Sequence, residues 1–153
     1  MEAFIRPGLD FDNWHDRGIY CEVGVVETGA GEMSLYGMEH CHLPTQRIRR
    51  YALRTDGFVS VRAGYAGGEF ITPPLTFARS ELELNYSTSA VGSVQVAVQD
   101  CAGQVICRSD EHYGDEIAGS VRWAEGALAE WAGRAVRLRF ALKDADLYAF
   151  KFN

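Results

Sequence analysis

From about Asp56 to the final residue, apolar and polar side chains alternate with a period of two, and this pattern constrains the fold more than any other feature. Leu82, Leu84 and Tyr86 alternate with Glu81, Glu83 and Asn85, and Val94, Val96 and Val98 alternate with Ser93, Gln95 and Ala97. Val136, Leu138, Phe140 and Leu142 alternate with Arg137, Arg139 and Ala141, and Tyr148, Phe150 and Phe152 close the chain in the same manner. Successive side chains of a strand point to opposite faces, so each run offers one face to a core and one to water. Such strands, with turn residues between them, predict an antiparallel, jelly-roll-like β-sandwich over residues 56–153. The one helical candidate, Ala124–Ala132, is interrupted by Gly126 and ended by Gly133, which predicts a single turn or a bulging loop. Leu128 and Trp131 would plug the open end of the sandwich, and Trp123, Trp131, Tyr148 and Phe150 are assigned to its core.

Residues 1–55 read differently. Ile19–Glu27, Met33–Glu39 and Arg47–Arg54 are expected to form three successive strands joined by turn-rich connections, a three-stranded meander. A meander this small has too little apolar surface to stand alone, so it is expected to pack on something else, and a homo-oligomer is expected. The class is therefore all-β.

Charge and length limit the function. The 153 residues carry 21 acidic and 15 basic side chains, a net charge of −6. A phosphate backbone requires a basic stripe, so nucleic acid is not an expected partner. The run Arg47-Ile48-Arg49-Arg50 is read as a solvated strand face. No stretch approaches the roughly 18 apolar residues that span a bilayer, so no membrane partner is expected. The start, Met1 to Pro7, lacks the basic-then-apolar pattern of a secretory signal, and the expected compartment is the cytoplasm. Cys101 sits at an expected hairpin tip and Cys107 about 13 Å along the return strand, beyond the reach of a disulfide. With Cys21 and Cys41, they are read as reduced thiols.

Several segments carry a family resemblance. They are Phe4-Ile5-Arg6-Pro7-Gly8, Gly31 through Tyr36, Leu53 through Val61, Gly67-Gly68-Glu69, Leu84 through Ser89, Gly133 through Phe140, and Lys143 through Tyr148. Together they resemble the carboxyl-terminal end of bacterial proteins similar to glycoside hydrolase family 32, in which a five-bladed β-propeller is followed by a β-sandwich. The resemblance implies carbohydrate as the partner. The matching part corresponds to a last blade and the sandwich, without the blades that would carry a nucleophilic carboxylate.

Glycoside hydrolysis usually needs two carboxyl groups flanking the sugar bond. Glu39 closes a strand beside His40, where an enclosed carboxyl with a raised pKa would suit a general acid. Asp10 or Asp12 would be its partner if the Phe4–Arg17 loop folds over that strand end. The alternative is an ordinary polar turn, with Glu39 paired to an arginine. Trp14, Arg17, Tyr36, His40 and Tyr113 are the candidate substrate-binding residues. Tyr113 lies in Asp110–Asp115, a loop that combines acid, imidazole and phenol. His40 and His42, with His15, have the chemistry of a metal site but no fourth ligand fixed by spacing, so no metal or other cofactor is assigned. Asp144 and Asp146, with Glu69 or Asp115, could hold calcium but read more simply as a solvated turn. Three functions stay open: hydrolysis of small glycosides or oligosaccharides by a carboxylate acid/base pair, non-catalytic sugar binding, and structural support of a parent propeller.

Overall fold

A computed structural model of the chain describes residues 4–16 and 18–153. The protein is all-β, with two antiparallel sheets and no closed barrel, and it divides into two compact units, Met1–Phe58 and Val59–Asn153. Among the described residues, no helix is long and apolar enough to cross a membrane.

The first unit contains β1 (Tyr20–Cys21), β2 (Val26–Gly29), β3 (Glu32–Glu39) and β4 (Arg47–Arg54). β1 and β2 lie end to end along one edge of β3, and β4 pairs with its other edge. The single first strand expected over Ile19–Glu27 is therefore broken, and Gly24 with φ +104° sits in the break. Only a residue without a side chain takes that backbone conformation cheaply. Among the described residues of this unit, no apolar side chain reaches full burial; the buried side chains are Asn13, Ser34, Glu39 and His40.

The second unit is an antiparallel sandwich built on two long strands, β7 (Leu82–Gln99) and β11 (Arg137–Phe152), which pair from Leu82↔Phe152 to Gln99↔Arg137. The shorter strands flank them: β5 (Val61–Ala63) and β6 (Gly68–Ile71) on β11, and β8 (Val105–Ser109) and β9 (Asp115–Ser120) on β7. β10 (Trp123–Glu125) pairs with β8. The sheet is continuous through β7 and β11, and residues from both ends of each enter one core containing Leu82, Leu84, Val94, Val96, Val98, Leu138 and Phe140. Leu128, in a 3-10 turn over Leu128–Trp131, is buried in that core, and Trp131 packs against it.

Two bulges alter the expected alternation. Leu138, Phe140 and Leu142 face the core, a register shift after Lys143 then puts Ala145 and Leu147 inside, and a second shift after Leu147 returns Phe150 and Phe152 to the core side. Tyr148, expected in the core, stands outside it because the first bulge reverses the parity. At that bulge Ser89–Gly92 lie opposite the single residue Asp144, whose φ is +42°. A Cβ on Gly92 would lie 2.3 Å from the Asp144 carbonyl oxygen. The clash is with backbone, so relief requires the strands to separate. Gly92→Ala is expected to destabilise the sandwich by about 2–3 kcal/mol in urea unfolding; an unchanged midpoint would show that this corner tolerates a side chain.

Candidate functional site

The expected catalytic residues meet where β3 ends. Residues 4–16 form a loop containing a 3-10 turn, Phe11–Trp14, whose N-cap Asp10 accepts a hydrogen bond from the Asp12 amide at 3.2 Å. Asn13 holds this loop to the sheet: its Nδ2 donates to the Pro7 carbonyl at 3.2 Å and its Oδ1 accepts from the His40 amide at 3.1 Å. The β3–β4 turn carries His40 and His42 at φ +53° and +62°. It is closed by Leu43 N donating to His40 O at 3.0 Å and by His42 N donating to Gln46 Oε1 at 3.1 Å.

Glu39 is 2 % exposed, and its charge is answered by β4. Arg47 Nε donates to Oε2 at 2.9 Å, Arg49 donates to Oε1 at 2.8 Å, and the Tyr51 hydroxyl donates to Oε1 at 3.3 Å. Arg47, Arg49 and Tyr51 are two residues apart on one strand, so their side chains share a face with Glu39 and Gly37 of β3. A Cβ on Gly37 would lie 3.0 Å from the Tyr51 ring, so the glycine leaves the space the phenol occupies on its way to Glu39. Burial pushes the Glu39 carboxyl up, but hydrogen bonds and charge from Arg49 and Arg47 outweigh it and hold the group below the ordinary glutamate value. The raised pKa expected of a general acid is thus reversed.

Asp10 and Asp12 are brought to the same place, around His40. His40 Nε2 lies 2.8 Å from Asp10 Oδ2, its Nδ1 lies 2.9 Å from Thr45 Oγ1, and Asp12 Oδ2 is 3.8 Å from Nδ1. The His40 hydrogen bond, opposed by partial burial and aided by the Asp12 amide and Arg47, holds Asp10 below the ordinary aspartate value. Arg47 also donates to Asp10 at 3.2 Å, so one guanidinium bridges Glu39 and Asp10.

Of the candidate binding residues, His40 stands among the candidate carboxylates, with Asp10 and Asp12. Trp14 is exposed, with its Nε1 donating to the Gly8 carbonyl at 3.0 Å. Tyr36 lies at an even position of β3, on the face opposite Glu39. Arg17 lies outside the described residues. The histidines separate: His40 joins Asp10 and Asp12, whereas His42 joins Asp16 and Cys41, and His15 belongs to neither group. His42 Nδ1 is 2.8 Å from Asp16 Oδ2. Partial burial and then a hydrogen bond to Asp16 raise the Cys41 thiol above its ordinary value. All four cysteines are free thiols, and Cys107 is buried. Of the candidate calcium ligands, Glu69 pairs with Arg139, and Asp146 accepts from Ser60 Oγ at 2.6 Å.

Tyr113 belongs to the second unit, where it lines a cleft of about 410 Å³ with Tyr86, His112, Glu116, Ala118, Gly119, Ser120 and Arg122. The His112 backbone is fixed by reciprocal hydrogen bonds with Val94, at 2.8 and 3.0 Å, and its ring meets the Tyr86 ring edge-on. The Tyr86 hydroxyl donates to the Tyr113 carbonyl at 3.2 Å, and the Tyr113 hydroxyl donates to the Glu111 carboxylate. His112 is 5 % exposed, and its Nε2 has no hydrogen-bond partner. Burial, then the charge of Arg122, depress its pKa against the opposing pull of Asp110, leaving a neutral imidazole near pH 7.

No protein-family model, curated protein or solved structure matches the chain.

Removing an arginine leaves the enclosed Glu39 charge incompletely answered. Arg49→Ala is therefore expected to lower the urea midpoint of the first unit; an unchanged midpoint would show that Arg47 and Tyr51 suffice. Because the Glu39 pKa is depressed by folding, its contribution is present above the unfolded carboxyl value and is lost as pH falls through the folded one. Glu39→Gln should accordingly flatten the acid limb of a stability-against-pH curve; an acid limb as steep as that of the unsubstituted chain would remove Glu39 from the account.

Proposed function

We propose that this chain is a carbohydrate-binding protein without glycosidase activity of its own, and that the cleft of the second unit receives the sugar. The observation that carries this reading is the lining of the cleft, where the exposed Tyr113 ring stands with His112, Glu116, Ser120 and Arg122. This lining has the chemistry of a sugar site. Tyr113 is 59 % exposed and presents a phenol ring to the apolar face of a pyranose, while Glu116, Ser120 and Arg122 supply polar groups for its hydroxyls. The resemblance to the carboxyl-terminal part of glycoside hydrolase family 32-like proteins points to the same ligand class.

The hydrolytic reading has less support. A general acid must hold a proton at working pH, whereas Glu39 is kept ionised with Arg47, Arg49 and Tyr51 on its two oxygens. Asp10 is tied to His40 and Arg47.

A panel of soluble oligosaccharides and polysaccharides, screened by calorimetry and affinity electrophoresis, tests the proposal. At least one neutral saccharide is expected to bind, with Tyr113→Ala weakening it by about tenfold through loss of a ring contact. Aryl glycosides should not be turned over. Failure of every saccharide to bind would overturn the binding claim, and turnover lost in Glu39→Gln would restore the hydrolytic one.

A further inference from the structure

We propose that Asp16, Cys41 and His42 form a binding site for a zinc-like divalent transition metal, independent of the sugar cleft. Two observations lead there. The first is geometric. Asp16 follows the 3-10 turn of the amino-terminal loop, while Cys41 and His42 belong to the β3–β4 turn. One ligand atom from each of the three lies within 4.8 Å of the others, and Asp16 Oδ2 is 2.8 Å from His42 Nδ1. Ligands at ordinary zinc distances around a tetrahedron stand about 3.4 Å from one another, so small side-chain rotations would admit the ion. Thiolate, imidazole and carboxylate together favour zinc, cobalt or nickel over magnesium and calcium. Three protein ligands leave a fourth position for water.

The second observation concerns what holds this unit together. It has no fully buried apolar side chain among its described residues, and units of this size that lack an apolar core commonly rely on a metal or a disulfide. All four cysteines are free, so no disulfide supplies that link. The ion would tie the amino-terminal loop to the β3–β4 turn, in addition to the link that Asn13 makes to His40.

The neighbouring group of Asp10, Asp12 and His40 is a poorer metal site. Both imidazole nitrogens already face Asp10 and Thr45, and the Arg47 guanidinium sits on the same Asp10 oxygen. Among the described residues, no lysine or arginine pairs with Asp16.

The test uses the full chain, freed of metal with a chelator. Cobalt(II) is expected to bind in one saturable step with a thiolate-to-metal charge-transfer band, and zinc should displace it and raise the unfolding temperature. Magnesium and calcium should do neither. Cys41→Ala and His42→Ala should each lose the saturable step, while Cys101→Ala keeps it. Alkylation of the unsubstituted chain gives a readout that needs no variant: zinc should protect Cys41 and leave Cys21 and Cys101 reactive. Absence of a charge-transfer band, its survival in Cys41→Ala, or equal alkylation of Cys41 with and without zinc would overturn the proposal.

Discussion

A carboxylate can be enclosed only if its charge is answered in place, and Glu39 is answered by two guanidiniums and a phenol from the adjacent strand. The geometry of the first unit follows from that requirement. The three donors must sit on one face of β4, which fixes the β3–β4 register at Glu39↔Arg47. Arg47 then reaches on to Asp10, Asp10 to His40, and His40 to Thr45, while Asn13 fixes the His40 amide. This polar network stands where an apolar core would usually be. Its electrostatic terms are directional and pH-dependent, unlike hydrophobic burial.

The second unit rests on the opposite principle. β7 and β11 pair along nearly their whole length and deliver leucine, valine and phenylalanine side chains to one core. The bulges at Lys143/Ala145 and Leu147/Ala149 let one pair of strands change faces twice without breaking the sheet. The cleft draws its rigidity from this frame: His112 is held by main-chain bonds to Val94, and the main chain beside Tyr113 by Thr88 and Tyr86.

Much of this was legible in the chain. The alternation at Leu82–Tyr86, Val94–Val98 and Val136–Leu142 marks buried strand faces, and the structure buries them. The parity reversal at Leu147 was not legible, because it depends on Asp144 facing four residues of a strand distant in sequence. Glu39, Asp10, Asp12 and His40, candidates by residue type and position alone, come together at the end of β3. The spacing of Arg47, Arg49 and Tyr51 carried the signal for their shared partner, but without β3 beside it such a run reads as a solvated face. Asn13 offered no signal, since its role is a bond to the main chain 27 residues away. The Asp16–Cys41–His42 group depends on two turns meeting in space, and sequence spacing suggested the different set of His15, His40 and His42.

The two units are held by different physics, charge pairing in one and apolar burial in the other. Amide hydrogen exchange followed by mass spectrometry from neutral to acid pH, corrected for intrinsic rates, tests it directly. β3 and β4 are expected to lose protection as the Glu39 and Asp10 carboxylates take up protons, while β7 and β11 keep theirs. Loss of protection in both units at the same pH, or protection of β3 and β4 that outlasts that of β7 and β11, would contradict it.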